Sequence, residues 1–243
     1  MTKTRRTMHD ELIGVTTKVA GLLWSMGPAW YVLCEAIAAS AFRGYSYANF
    51  YISDLGVPGF GELDDRILAS ELPQVMNAGF IGTGALFLLG LIVLLPNLGP
   101  GASKGLLAGF GILHVVGIVF VGLVPGSPHN VGNGLIIVHV LGAVAAIMGG
   151  NLAAITSNRA LRGIGLSRSA RGVGVALGAL GLLSATLLSL HLVLPDGVWE
   201  RGAVYPFMMW QLLTGAALLR TGRSSAERSR PMPENAPVDG RGG

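Results

Sequence analysis

The stretch VMNAGFIGTGALFLLGLIVLL, residues 75–95, decides the fold class of this chain because it contains no Asp, Glu, Lys or Arg. A helix of about 20 apolar residues crosses the roughly 30 Å of hydrocarbon in a bilayer. Five further long, mainly apolar stretches lie at 15–41, 105–124, 131–155, 172–194 and 203–221. The pattern predicts an all-α fold, a polytopic integral membrane bundle of six transmembrane helices, numbered spans 1 to 6.

The composition of the whole chain agrees with a membrane protein. Hydrophobic residues make up 51% and charged residues 12% of its 243 residues, whereas soluble domains carry about 25% charged residues. The mean hydropathy is +0.58. These values exclude an ordinary soluble domain and make the lipid bilayer the first expected partner.

Basic residues between the spans predict the orientation, because Lys and Arg in short loops are retained on the cytoplasmic side. Of the 17 Lys and Arg residues, only Arg43, Arg66 and Arg201 lie in the first, third and fifth connections. The same connections carry acidic residues, namely Asp54, Glu62, Asp64, Asp65, Glu71, Asp196 and Glu200. We therefore predict a cell (plasma) membrane protein with both termini cytoplasmic and these connections outside.

The predicted organisation is one membrane domain with two short cytoplasmic ends. Residues 1–14 form the N-terminal segment, and 15–221 form the six-helix domain with an outer loop at 42–74. We expect this loop to lie on the outer membrane surface, with a short helix near 64–72. Residues 222–243 are rich in Pro, Ser, Gly and charge, which predicts a disordered cytoplasmic tail.

The net charge of +4 does not indicate a nucleic-acid-binding protein. The basic residues are spread over loops beside the helices rather than gathered on one folded patch. Glycine is abundant, with 37 residues, and recurs at four-residue spacing in Gly101, Gly105 and Gly109 and in Gly174 and Gly178. Such stripes let helices pack closely, within the bundle or in a homo-oligomer.

Polar side chains in or beside the outer halves of the spans are the candidates for function, because polar groups are costly at membrane depth. They define a predicted outward-facing polar pocket, lined by Glu35, Asp54, Asn77, His114, His129, His139 and His191. His139 shares a helical stripe with Gly142, Ala146 and Gly150, which predicts that it faces the bundle interior. Spans 3 and 4 are joined by a short turn, so we expect His114 and His139 to meet at similar depth.

A structural role remains open for each of these residues. A buried histidine is commonly hydrogen-bonded to a carbonyl group, and Ser53 with Asp54 before Leu-Gly-Val-Pro-Gly suits a turn. The chain has no HExxH, P-loop, GxSxG or HxxxH motif.

Three segments resemble one known family: NFYISDLGVPG after span 1, NAGFIGTG opening span 2, and GLVPGSPHNVGNGLIIVHVLG joining spans 3 and 4. They are similar to the DUF998 family, domain of unknown function 998, of bacterial and archaeal polytopic membrane proteins. The resemblance implies motif positions at Ser53, Asp54, Asn77, Pro125, His129 and His139. An acidic residue often follows the turn proline in that pattern, whereas this chain has Gly126 and Ser127. The resemblance implies a fold and a location but no activity.

Three classes of function follow. The first is a non-catalytic, transport or lipid-binding role in the cell envelope, which needs only the pocket and a lipid or small amphiphile as partner. The second is a metal-dependent intramembrane hydrolase acting on a lipid, in which zinc activates water. Its candidate metal ligands are His129, His139, His191 and Asp54, and its candidate catalytic residues are Ser53, Asp54 and Glu35.

This residue inventory is loosely similar to the alkaline ceramidase and adiponectin-receptor superfamily, which has seven helices rather than six. The third class is a b-type haem protein with His114 and His139 as axial ligands. No cofactor is assigned at this point, and zinc and haem both stay open.

Overall fold

The computed structural model describes the backbone of residues 3–63 and 66–228 and the side chains mainly of 11–63 and 66–221. Its helices are α1 (Lys3–Ser40), α2 (Pro73–Leu94), α3 (Ala102–Leu123), α4 (Pro128–Gly132), α5 (Ile136–Ala160), α6 (Arg168–Ser189) and α7 (Asp196–Arg228), and its strands are β1 (Gly59–Leu63) and β2 (Arg66–Ser70). Every long helix is apolar enough to cross a membrane, and only α4 is short. The predicted all-α six-helix membrane bundle is confirmed.

The six long helices form a closed ring in chain order. Each packs against the next along the chain, and α7 returns to pack against α1. The connections 41–72, 124–135 and 190–195 therefore share one end of the bundle, called here the loop end, opposite the end that carries α1's start and α7's finish. Which end faces the cytoplasm stays a prediction.

Apolar side chains cover the outside of the ring. Four of them are each more than half exposed, namely Leu22, Ile92, Leu141 and Leu183. In water this large apolar surface would promote aggregation. Facing lipid tails, the same surface needs no further cover. The outside of the bundle is thus built for hydrocarbon.

Aromatic rings fill the middle of the ring. Trp24 stacks on Phe87 with ring centroids 5.3 Å apart and lies 5.3 Å from Trp210. Both indole N–H groups are satisfied, by Phe87 O and by Ser157 Oγ respectively. The centre of the bundle is therefore packed, and the open space lies nearer the loop end.

The first connection folds over the loop end as a cap, defined as residues 41–63 and 66–72. Its strands pair antiparallel, with Gly59 opposite Ser70. Its residues Ile52, Leu55 and Leu68 are buried. The expected short helix near 64–72 is wrong, because 66–70 is a strand, while the position of this loop on the outer membrane surface stays a prediction. Ile67 is 57% exposed and Leu68 is fully buried, which is the two-residue alternation of a strand.

Helix α7 also differs from the predicted span. It begins at Asp196, seven residues before the predicted start at 203, and continues to Arg228. The remainder of the predicted disordered tail, 229–243, lies outside the described residues. The early start brings Glu200 and Arg201 into the bundle.

Candidate functional site

A cavity of about 660 Å³ opens beneath the cap, between α5 and α6. Its walls are mainly apolar and include Val140, Val144, Ile147, Met148, Leu182 and Leu188. Along α5 the lining runs from Ile136 to Met148, a length of about 18 Å at 1.5 Å per residue. The cavity is therefore long, and it is apolar over most of its length.

The end of this cavity next to the cap is polar. Its lining includes Tyr51, Ser53, Asp54 and Arg66 from the cap, His139 from the start of α5, Thr186 and Ser189 from the end of α6, and Glu200 from α7. The deeper lining, around Ile147 and Leu182, is apolar. The cavity thus has a polar head and an apolar tail, which is the distribution an amphiphile presents.

Asp54 is held in place by Arg66 and Tyr51. The Arg66 Nε lies 3.1 Å from Asp54 Oδ2, with only 3% of the Asp54 side chain exposed. The backbone N–H of Tyr51 donates to the same oxygen at 2.9 Å, and the Arg66 guanidinium stacks 4.3 Å above the Tyr51 ring. The guanidinium of Arg66 therefore balances the charge of Asp54 within the site.

Tyr51 links this pair to the start of α7. Its hydroxyl donates to Asp196 Oδ2 at 2.7 Å, and His191 Nδ1 lies 2.9 Å from the same carboxylate. Burial, assisted by the Asp196 carboxylate, raises the pKa of the Tyr51 hydroxyl. Tyr51 therefore stays neutral and acts as a hydrogen-bond donor at ordinary pH.

His139 faces the cavity with a defined tautomer. Its Nδ1 lies 2.8 Å from Val124 O, and a carbonyl oxygen only accepts, so Nδ1 carries the proton. In the neutral ring Nε2 is then an acceptor. Gly126 lies beside it, since a Cβ there would stand 3.1 Å from Nε2, and both residues line the cavity.

Glu200 lines the same polar end without an ion-pair partner. Its Oε2 accepts the backbone N–H of Ile52 in the cap. Among the side chains that the structure describes, no salt bridge joins it to a basic residue, and its neighbour Arg201 pairs with Glu35. Glu200 is thus the carboxylate of this site that has no ion pair within the described chain.

Glu35 lies behind the cavity, in a buried network with α7. Arg201 Nη2 donates to Glu35 Oε1 at 2.9 Å, and the Tyr205 hydroxyl donates to Oε2 at 2.8 Å. The side chains of Glu35 and Arg201 are 2% and 10% exposed. Glu35 does not line the 660 Å³ cavity, so its position indicates a structural anchor rather than a contact for a ligand.

His114 lies deeper, at a second and smaller cavity of about 50 Å³ that Glu200 and Ser53 also line. Its Nδ1 donates to Ala146 O at 2.8 Å, while Nε2 is buried without a partner. The ring packs 4.3 Å from Phe207 between centroids. His114 is therefore part of the bundle core, next to the site rather than at its polar head.

Three other predicted pocket residues lie at the loop end, outside the 660 Å³ cavity. The Asn77 amide donates to Gly56 O at 2.9 Å and so fixes the turn that presents Asp54. His129 is exposed on α4. His191 is 68% exposed and pairs with Asp196. None of these residues lines the 660 Å³ cavity.

The four candidate zinc ligands are not brought together. His129 and His191 lie on different connections and are exposed, whereas Asp54 is paired with Arg66. Among the side chains that the structure describes, no group of three His, Cys, Asp or Glu could hold a metal ion. The zinc-hydrolase set of His129, His139, His191 and Asp54 therefore does not fit the metal.

The haem alternative fails on depth. His114 is level with Ala146 and Gly150 of α5, but His139 precedes Ala146 by seven residues, about 10 Å along the helix. The expectation that the two imidazoles meet is wrong, because α3 and α5 pack in a register that sets His139 against Val124 instead. Two rings so placed do not flank one iron atom.

Sequence reasoning did not select Glu200, Arg201, Arg66 and Tyr51. The sequence pattern presents the first three as charges of outer connections, and Tyr51 as an aromatic residue at headgroup level. A signal was present at Arg201 and Tyr205, which are four residues apart and so share one face of a helix. A charge beside an apolar run, on the same face as a tyrosine, indicates a residue that points inward.

The sequence profile described as "Protein of unknown function (DUF998)" matches residues 25–217. This range contains the cap and every residue that lines the two cavities. Comparison with curated proteins and with solved structures gives no match. The match covers most of the chain, and this multi-pass membrane protein therefore belongs to the DUF998 family.

Proposed function

We propose that the protein binds a lipid or small amphiphile from the outer side of the cell membrane, in a non-catalytic or transport role in the cell envelope. The observation that carries the proposal is the 660 Å³ cavity, polar beneath the cap and apolar along α5 and α6. Binding sites for small molecules are mostly apolar, with a few polar groups that fix orientation. The polar end of the cavity matches the headgroup of an amphiphile, and its apolar part matches the tail.

The packing of α6 provides a route from the bilayer. Of the six spans, α6 is the least buried within the bundle, and its lining residues include the small side chain Ala185. A tail entering between α5 and α6 would remain in hydrocarbon throughout its passage. Lateral entry therefore avoids the cost of moving an acyl chain through water.

The distribution of charge supports the outer side. The loop end carries the acidic connections, and most of the Lys and Arg residues that the structure describes lie at the opposite end, for which the positive-inside rule predicts a cytoplasmic position. The polar head of the cavity lies at the loop end. A ligand would thus present its headgroup at the outer leaflet.

Ala185→Trp tests this function by filling the cavity from the α6 side. The protein is purified in mild detergent, and the lipids that remain bound are quantified by native mass spectrometry. We expect wild type to retain about one amphiphile per chain and Ala185→Trp to lose most of it, because the indole occupies the space of the tail.

Ala179→Trp is the matched control, since Ala179 is an exposed residue of α6 that does not line the cavity. It should keep its amphiphile. Equal retention in all three proteins would reject the cavity as the binding site.

A further inference from the structure

We infer that the headgroup taken by this cavity is a protonated amine, an inference that rests on the proposed binding of an amphiphile. The amine would be carried by a lipid or by a free single-chain molecule. The polar end of the cavity offers hydrogen-bond acceptors and a carboxyl group that forms no ion pair with a described side chain, while the one Lys or Arg among its described lining residues is already engaged.

The cation is Arg66. Among the described residues that line the cavity it is the only Lys or Arg, and its guanidinium is committed to Asp54 at 3.1 Å and to the face of Tyr51. A carboxylate or phosphate headgroup would compete with Asp54 for the same guanidinium. An anionic headgroup is therefore poorly matched.

The acceptors are His139 and Glu200. His139 is 7% exposed, and because Val124 O fixes the proton on Nδ1, the opposite edge of the ring offers the lone pair of Nε2. This nitrogen has no hydrogen-bond partner among the described residues, although its neighbour Gly126 leaves the space beside it open. Such an atom is matched by a ligand that donates.

Glu200 adds charge. Its carboxylate accepts the Ile52 N–H but forms no salt bridge with a basic side chain in the described part of the chain. An ionised carboxylate in a low-dielectric site is costly unless a counter-charge is present. An ammonium group supplies that charge and three N–H donors, so it satisfies Glu200 and His139 together.

The experiment compares three dodecyl probes on detergent-solubilised protein near pH 7, read by the shift in melting temperature and by direct titration. Dodecylamine carries charge and N–H donors, dodecyltrimethylammonium carries charge alone, and dodecanoate is anionic. A ligand that binds the native state raises the melting temperature. We expect a clear rise with dodecylamine, a smaller rise with dodecyltrimethylammonium and none with dodecanoate.

Glu200→Gln removes the charge while keeping an acceptor for the Ile52 N–H, and we expect it to weaken dodecylamine binding about tenfold. Glu62→Gln is the matched control, because Glu62 is exposed on β1 outside the cavity, and its affinity should equal that of wild type. Ala185→Trp should abolish the shift, which separates binding in the cavity from partitioning into the micelle.

The outcomes distinguish this inference from the proposed function. If dodecanoate or dodecyltrimethylammonium binds as tightly as dodecylamine, the inference of an amine headgroup is overturned. The cavity would still be a site for an amphiphile. Unchanged affinity in Glu200→Gln would also overturn it. If none of the probes binds and lipid retention is the same in Ala185→Trp, the binding function itself fails.

Nanodiscs of defined lipid extend the test to membrane lipids. Phosphatidylethanolamine and phosphatidylcholine share a phosphate, but only the first has N–H donors. Preferential retention of phosphatidylethanolamine would support a lipid as the source of the amine. Preference for phosphatidylcholine would contradict the inference.

Discussion

Arg201 is the residue that joins the cap to the bundle. Its guanidinium donates to Glu35, to the Tyr45 hydroxyl at 2.6 Å and to the carbonyl oxygens of Tyr47 and Phe50. The planar fork of an arginine can reach several acceptors at once. A single side chain on α7 thus fixes α1 and the cap together.

We predict that Arg201→Ala lowers the free energy of unfolding by about 3–5 kcal/mol, because it leaves Glu35 buried without its counter-charge. Arg201→Lys should recover only part of this loss, since an ammonium cannot reproduce the fork. Denaturant unfolding in detergent, followed by tryptophan fluorescence, measures both variants.

Arg43→Ala is the control for this prediction. Arg43 pairs with Glu71 at 3.5 Å, but its side chain is 89% exposed, and exposed pairs contribute about 0–1 kcal/mol. A loss in Arg43→Ala as large as that in Arg201→Ala would contradict the anchoring role of Arg201.

Tyr45 makes a prediction about pH. Burial raises the pKa of its hydroxyl despite the neighbouring Arg201, and the neutral group both accepts from Arg201 and donates to Tyr51 O. A raised pKa in the folded state stabilises the protein fully below the usual tyrosine pKa of about 10, and this contribution is lost as pH rises further.

The melting temperature should therefore fall between about pH 9 and pH 11, around that usual tyrosine pKa, and it should fall less steeply in Tyr45→Phe than in wild type. Melting curves of both proteins at matched ionic strength measure the two slopes. Parallel slopes would show that ionisation of Tyr45 is not part of the alkaline loss.

At the scale of elements, glycine decides how closely α3 and α5 approach. A Cβ at Gly117 would stand 2.5 Å from Gly142 O of α5, a distance that backbone atoms cannot relieve without moving a helix. The predicted stripe through Gly142 and Gly150 does lie against neighbouring helices, whereas a Cβ at Gly105 or Gly109 would meet no heavy atom within 4 Å. Spacing alone therefore identified glycine stripes but not which of them are packed.

We predict that Gly117→Ala destabilises the bundle by about 1–3 kcal/mol, the range for overpacking a tight interface. Gly109→Ala is the matched change on the same helix and should be neutral or stabilising by up to about 1 kcal/mol, because alanine favours helix and nothing obstructs its methyl group. Thermal unfolding in detergent compares them. Similar losses in both variants would show that helix propensity, not close approach, governs this helix.

At the scale of the molecule, the spans and their number were predictable because a bilayer demands long apolar runs. The cap was not, because its buried face is assembled from short segments such as Ile52 to Val57 and Leu68 that have no long period. His139 was selected from the cost of polar groups at membrane depth and Asp54 from the DUF998 motif, and both line the cavity. Glu200 was missed because Glu200 and Arg201 interrupted the apolar run that defined the predicted span. In the structure both belong to α7, where Glu200 accepts the N–H of Ile52 in the cap and Arg201 pairs with Glu35.

The orientation of the whole molecule gives the last prediction. The only cysteine, Cys34, is 3% exposed, so a Cys34→Ala background leaves a chain into which single cysteines can be placed. Glu62→Cys reports on the loop end and Lys104→Cys, in the first turn of α3, on the opposite end. A membrane-impermeant maleimide applied to intact cells should label the first variant and reach the second only after permeabilisation, because Lys- and Arg-rich flanks predict a cytoplasmic position for the second end. Labelling in the reverse order would place the polar head of the cavity in the cytoplasm and with it the source of the ligand.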